Sequence, residues 1–239
     1  MSTVRMGAEP QVPHHPAQFR YGVVFLLIVT LLLFDIIAPE ADWARSIVIA
    51  LAGAALTVAV GTSRARGPIR RKRALVVGGV AVLLVIVIST GVLSVDATFL
   101  IGTLLLISIP IELGGGLLRL IREEGVTPQA VAGALTIYLL VGLVFASLIS
   151  FVSHVESGSY FAQTGPVTNG DRVYFSFTVL TTTGFGDFTP VHPFGHALAV
   201  LEMLIGQLYL VTVIGILVGN FVGRRRGLSA NSSDALSDR

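Results

Sequence analysis

Residues 181–187 read Thr-Thr-Thr-Gly-Phe-Gly-Asp, and they lie between two long apolar segments. A short amphipathic segment comes just before them, and Pro190 comes just after. Gly184 and Gly186 can take backbone angles that a side chain would disfavour. With both glycines in such angles, four successive backbone carbonyls can face one axis. They are those of Thr182, Thr183, Gly184 and Phe185.

Such a row of carbonyls suits the coordination of a potassium ion. K⁺ gives up its water only when several oxygens replace it together, and rings of carbonyls from four copies of a T-x-G-[YF]-G strand can do this. An alternative is a Thr/Gly-rich extracellular turn, but irregular backbone at membrane depth is tolerated only where it lines a cavity or is buried in protein. We therefore predict an ion-selectivity filter, with the hydroxyl of Thr182 as its lowest ligand. The predicted filter residues are Thr182, Thr183, Gly184, Phe185, Gly186 and Asp187, with K⁺ held at the first four.

The motif and its setting resemble the tetrameric potassium-channel family, over residues 129–223 and most strongly over 171–220. The resemblance implies a homotetramer with no cofactor other than permeant K⁺ ions. Phe185 stands where tyrosine is usual, Thr183 where valine is usual, and Thr178 where some members have a glutamate that pairs with the aspartate at the position of Asp187. These departures leave the carbonyl ladder intact but leave the degree of K⁺ over Na⁺ selection open. A weakly selective cation channel is therefore retained as an alternative.

The resemblance also assigns roles to the apolar segment after the filter. Gly206 stands where the family's inner helix carries its hinge glycine. Four residues counted on in helical steps would line the cavity and the inner gate: Gln207, Leu210, Ile214 and Val218. Gly215, Gly219 and Gly223 are spaced by four, a pattern by which membrane helices pack closely. Packing and hinge motion are equally open explanations for Gly206.

Composition places the whole chain in a membrane. Of 239 residues, 53% are hydrophobic and 13% are charged, which is typical of integral membrane proteins. Six apolar runs are long enough to cross a bilayer as helices. They are residues 19–38, 43–62, 74–93, 98–118, 129–152 and 196–222. The predicted fold is thus an all-α membrane protein with six transmembrane helices. A signal peptide is the alternative for the first run.

The chain divides near residue 125. We expect an N-terminal tail over 1–18, a four-span bundle over 19–125, a pore domain over 126–223 and a C-terminal tail over 224–239. The pore domain would contain an outer helix, a pore helix over 171–181 and an inner helix. Asn169 and Asp171 are good starters for the pore helix. Absence of cysteine excludes disulfides and thiolate metal sites.

Lysine and arginine predict the orientation. Six of them lie in the loop between the second and third runs, and Arg224, Arg225 and Arg226 follow the sixth run. By the positive-inside rule these ends face the cytoplasm. Both termini are then cytoplasmic in a plasma-membrane protein, and the three arginines are positioned to meet anionic lipid. No nucleic-acid partner is expected.

Several charged groups are candidate modulators of gating: Glu112, Glu202, His192 and His196. Asp35 is close enough to the outer surface that either snorkelling to it or pairing with Arg45 would explain its position. Residues 97–118 contain no Arg or Lys, so steep voltage gating is not expected. The stimulus that opens the pore and the role of the first four spans stay open.

Other functional classes fit less well. A K⁺ transporter subunit of the Trk or Ktr type would need four filter-like loops in one chain, and this chain has one. A non-enzymatic scaffold or sensor protein, with the four upstream spans as the sensor, is the other alternative to a channel. No nucleophile, metal cluster or phosphate-binding loop is present in the sequence, so we expect no enzyme.

Overall fold

The computed structural model describes residues 20–62, 68–90, 95–155 and 159–237. Within them the chain forms helices α1 (Arg20–Ile37), α2 (Asp42–Thr62), α3 (Pro68–Ser89), α4 (Val95–Glu124), α5 (Pro128–Val155), α6 (Asn169–Leu180) and α7 (Pro193–Ser237). These residues contain no strand, and an isolated antiparallel bridge joins Phe161 to Pro190. The prediction of an all-helical fold is confirmed over this part of the chain.

Four of the helices are long and apolar enough to cross a membrane. The spanning segments are Asp42–Gly61, Ala97–Arg122, Pro128–Val155 and Pro193–Val213. The apolar parts of α1 and α3 are shorter, at Tyr21–Ile37 and Leu75–Ile88. Length and composition therefore establish a membrane protein with four candidate spans, where the sequence predicted six. The backbone of α7 stays helical through the segment assigned to the C-terminal tail, up to Ser237.

Helix α6 begins with a reciprocal cap. The Thr168 amide donates to Asp171 Oδ2 at 2.8 Å, and the Asp171 amide donates to Thr168 Oγ1 at 3.2 Å. This capping box satisfies two amides that the first turn leaves without helical partners. Asp171 was expected to start the helix, and it does so from the third helical position, with Thr168 as the N-cap residue.

Helix α5 contributes residues to two hydrophobic cores. One joins α1, α2, α4 and α5 and includes the fully buried Ile28, Ile109 and Leu140. The other joins α5, α6 and α7 around Phe161 and Phe175. Because α5 contributes to both cores, the N-terminal helices and the segment around α6 form one packed unit.

A polar contact ties α1 to the start of α6. The Asn169 side-chain amide donates to Asp35 Oδ1 at 2.7 Å, and the Asn169 backbone amide donates to Glu40. A pair between Asp35 and Arg45 is not formed, because Arg45 pairs with Glu40 at 3.7 Å and with Asp42 at 3.3 Å. The carboxylate of Asp35 instead accepts a hydrogen bond from an amide that lies 134 residues later in the sequence.

Two further contacts strengthen the same junction. Arg172, on the first turn of α6, lies 3.7 Å from Glu40 and its side chain is 11% exposed. Gly170 packs so closely against α1 that a Cβ at this position would meet the carbonyl oxygen of Ile36. The start of α6 is therefore held by both charge and close packing against α1.

Candidate ion-selectivity filter

The filter segment, residues 181–187, begins where α6 ends at Leu180. The Thr182 amide donates to the Val179 carbonyl at 2.9 Å. The amides of Thr183 and Gly184 both donate to the carbonyl of Thr178, at 2.9 and 3.1 Å. These bonds satisfy carbonyls that the last helical turn leaves open. They also fix the start of the filter segment to the end of α6.

Three residues of the filter segment have positive φ. Gly184 and Gly186 have φ of 51° and 78°, values that glycine adopts without steric cost. Thr182 has φ of 56°, and no other described non-glycine residue has positive φ. For a residue with a Cβ this conformation costs about 1 to 2 kcal/mol. The Thr182 hydroxyl accepts a hydrogen bond from Gln207 Nε2 at 3.0 Å, which links this strained residue to α7.

All seven residues of the filter segment are exposed in the single chain. The Phe185 side chain is 69% exposed, although it is large and apolar.

Tyr174 supports the filter segment from α6. Its ring stacks on that of Phe185, with centroids 6.3 Å apart and planes 4° apart. Its hydroxyl lies near the carboxylate of Asp187. The filter motif by itself assigns no role to Tyr174. The signal in the sequence that could have assigned this role is the spacing of three residues. Tyr174, Thr178 and Thr181 lie on one helical face that leads to the filter segment.

Thr178 does not take the place of a glutamate partner for Asp187. Its hydroxyl donates to the Phe175 carbonyl at 2.8 Å, within α6. The Phe188 amide donates to Asp187 Oδ1 at 3.1 Å, and the Tyr174 hydroxyl lies near the same carboxylate.

Behind the filter segment, Glu202 of α7 is fully buried. Its Oε1 lies 2.5 Å from Ser176 Oγ, and the same hydroxyl donates to the Gly142 carbonyl at 2.7 Å. A carbonyl oxygen only accepts, and a serine hydroxyl carries a single hydrogen. The contact with Glu202 is therefore satisfied when the carboxyl group is protonated and donates to Ser176. This chain of hydrogen bonds joins α5, α6 and α7.

Gly206 lies against the end of α6. A Cβ on this residue would be 2.5 Å from the Leu180 carbonyl oxygen and 2.9 Å from Leu180 Cδ1. At Gly215, farther along α7, a Cβ would meet no atom within 4 Å. Gly206 thus allows α7 to approach the residue that directly precedes the filter segment.

The remaining predicted site residues are spread along α7. Gln207 is exposed and Leu210 is half-buried. The side chains of Ile214 and Val218 lie outside the described residues, as do those of Arg224, Arg225 and Arg226. The His196 amide donates to the His192 carbonyl at 3.2 Å, so both histidines lie at the start of α7. Glu112 is half-buried on α4, away from the filter segment.

Comparison with known proteins finds similarity over the second half of the chain. Residues 133–222 match the family model described as "Ion channel". A potassium voltage-gated channel protein of Caenorhabditis elegans is 34% identical over 84 residues, which cover 33% of this chain and 16% of that protein. An inward rectifier potassium channel of Paramagnetospirillum magnetotacticum is 26% identical over 102 residues, which cover 43% of this chain and 33% of that protein.

The chain therefore spans a third or less of the length of these two relatives. No solved structure matches the chain significantly. The matched family is one of ion channels and not of enzymes. The matched residues contain α6, the filter segment and most of the apolar part of α7. Residues 133–222 match an ion-channel family model, and the resemblance to potassium channels predicted from the filter motif is confirmed.

Proposed function

We propose that the protein is a potassium-selective channel that conducts K⁺ passively through a tetrameric pore. The observation that carries this proposal is the geometry of residues 181–187. They leave the end of a short helix as an exposed segment with glycine φ angles of 51° and 78°. In the proposed filter, K⁺ is bound by Thr182, Thr183, Gly184 and Phe185.

The tetramer follows from the coordination of the ion. One chain supplies one quarter of each oxygen ring, so closed four-fold symmetry completes the rings. The exposure of Phe185 and its neighbours supports this proposal, because symmetry-related copies would cover them. Native mass measurement of the conducting species should give four chains. A stable dimer or trimer that conducts would exclude it.

We further propose six spans, with α1 to α4 as an N-terminal bundle over residues 19–125 and the pore domain over 126–223. The apolar stretches of α1 and α3 would then cross the membrane with the four longer helices. Charge placement supports cytoplasmic termini in a plasma membrane, with Arg224, Arg225 and Arg226 near anionic headgroups.

Ion flux into liposomes tests the proposal directly. Protein reconstituted with an outward K⁺ gradient should take up Rb⁺, and external K⁺ should compete far better than Na⁺ or Li⁺. Gly184→Ala should stop uptake, because alanine is strained at positive φ. Gly79→Ala is the matched control, since a Cβ on Gly79 of α3 would meet no atom within 4 Å. Selective uptake by Gly184→Ala would exclude these carbonyls as the ion ligands.

A weakly selective cation channel is the second candidate function. The substitutions at Thr183 and Phe185 favour it, since both differ from the residues usual at these positions in the potassium-channel family. Equal competition by Na⁺ and K⁺ in the same flux assay, together with loss of uptake in Gly184→Ala, would establish this candidate in place of the first.

A further inference from the structure

A cavity of about 80 Å³ lies between the N-terminal helices and the start of α6. Its walls come from α2, α4 and α5 and are mostly apolar, with Ile49, Leu105 and Leu106 among them. Its polar end is formed by Asp35, Ser150 and Asn169. A single water needs only about 10 to 15 Å³ on this measure, so the cavity has room for a small organic molecule.

Charges at the polar end are unevenly paired. Arg45 also lines the cavity, and its guanidinium lies near the carboxylates of both Glu40 and Asp42. Arg172 lies near Glu40. Of the three charged residues that line the cavity, Glu40 and Arg45 lie near each other, whereas Asp35 has no cation within ion-pair distance among the described residues. The described hydrogen-bond partner of Asp35 is the neutral side-chain amide of Asn169.

We propose that this cavity binds a small organic amine. The ammonium group would donate hydrogen bonds to the Asp35 carboxylate, and a compact apolar body would fill the space beside Ile49 and Leu106. Intramembrane carboxylates pair with cations or line functional sites, because an unpaired charge at this depth is costly. A cationic ligand supplies the missing charge, and the apolar walls favour a hydrocarbon body over a hydrated metal ion.

The bound amine would also act on the start of α6. Asp35 accepts from the side chain of Asn169, and Ser150 Oγ is 3.1 Å from Asn169 Oδ1. An ammonium group at Asp35 would therefore bind the same carboxylate as the amide that ties α1 to α6. Binding itself does not depend on ion conduction, so it can be tested separately from the proposed function.

Thermal unfolding of the purified full-length chain in detergent gives the test. Cyclopentylamine is the probe, and cyclopentanol is the uncharged molecule of similar shape. The amine should raise the midpoint of unfolding in a saturable way, since a ligand that binds only the folded state stabilises it. Cyclopentanol should not do so at the same concentrations.

Two variants should remove the effect. Asp35→Asn keeps an acceptor for Asn169 but removes the charge, so the apparent affinity for the amine should fall by about tenfold or more. Gly102 lines the cavity, and a Cβ there would meet no atom within 4 Å. Gly102→Val should therefore reduce the free volume of the cavity. Gly114→Val, also on α4 and also open but outside the cavity, should bind the amine normally.

Three results would overturn the proposal. They are the absence of any saturable shift with the amine, an equal shift with cyclopentanol, and unchanged amine binding in both Asp35→Asn and Gly102→Val. The second result would indicate that the cavity takes a neutral apolar occupant such as a lipid chain. If the amine binds as expected and Rb⁺ flux is absent, the site stands and the proposed channel function fails.

Discussion

Replacing Gly206 by alanine should disturb the filter segment through the end of α6. The new Cβ would lie 2.5 Å from the Leu180 carbonyl oxygen. Ordinary contacts at such positions begin at about 3.4 Å, so α6 and α7 must separate by several tenths of an ångström. The obstructing atom belongs to the backbone of the residue next to Thr181, so side-chain rotation cannot relieve the contact.

The magnitude follows from two opposing terms. Overpacking of this kind costs about 1 to 3 kcal/mol, whereas alanine in place of glycine inside a helix contributes about 0.8 to 1 kcal/mol of stability. Gly206→Ala should therefore lower the free energy of unfolding by up to about 2 kcal/mol. Gly215→Ala has the same helix term without the contact, so it should raise stability by up to about 1 kcal/mol.

Denaturant unfolding in detergent and Rb⁺ flux in liposomes measure the two consequences. We expect Gly206→Ala to be less stable than Gly215→Ala and to show altered flux or altered Na⁺ competition. If Gly206→Ala were as stable as Gly215→Ala with wild-type selectivity, the packing of Gly206 against Leu180 would not constrain the filter segment. Altered open probability with wild-type stability would instead favour a hinge at Gly206.

Three further predictions concern the filter segment, the contact between Ser176 and Glu202, and the voltage dependence of opening. Gly186→Ala should abolish flux, because φ is 78° at this position and alanine is strained there. The protein should still insert into the membrane, because a Cβ on Gly186 would meet no atom within 4 Å. Membrane fractionation together with a flux assay checks both expectations. Ser176→Ala should destabilise the fold by about 1 to 3 kcal/mol, since it leaves the buried Glu202 without its hydrogen-bond partner. Ser153→Ala, on the half-buried part of α5, is the control in unfolding experiments. Patch recordings should show an open probability that changes little between about −100 and +100 mV. Each charge that crosses the field contributes only about 2.3 kcal/mol per 100 mV, and α4 has no Arg or Lys over 97–118. A steep sigmoid dependence of open probability on voltage would show that charges elsewhere cross the field.

The helices and the position of the filter segment could be predicted because their signals are local. Six apolar runs coincide with described helices, and the glycines of residues 181–187 are adjacent to the end of α6. Helix ends were less predictable. Thr168 caps α6 through a bond to Asp171, three residues away, yet Asn169 is an equally good capping residue by type.

Contacts between distant segments could not be predicted from one sequence. Asp35 has an arginine ten residues away that looks like a natural partner, but folding brings Asn169 closer. Glu202 and Ser176 are 26 residues apart, and only the packing of α7 on α6 aligns them. Tyr174 could be placed on the face that leads to the filter segment, whereas its stacking on Phe185 depends on how the chain turns after Leu180.

The tie between α1 and α6 has a consequence for biosynthesis. Asp35 and Asn169 are 134 residues apart, so the ribosome releases one long before the other. Until α6 is in place, the acceptors on Asp35 and Glu40 lack the amides that they bind in the folded protein. If α1 crosses the bilayer as proposed, its insertion in the wrong direction would carry both carboxylates to the opposite side, and the beginning of α6 would find no acceptors there. The junction thus makes assembly of residues 133–222 depend on the correct orientation of a helix outside them.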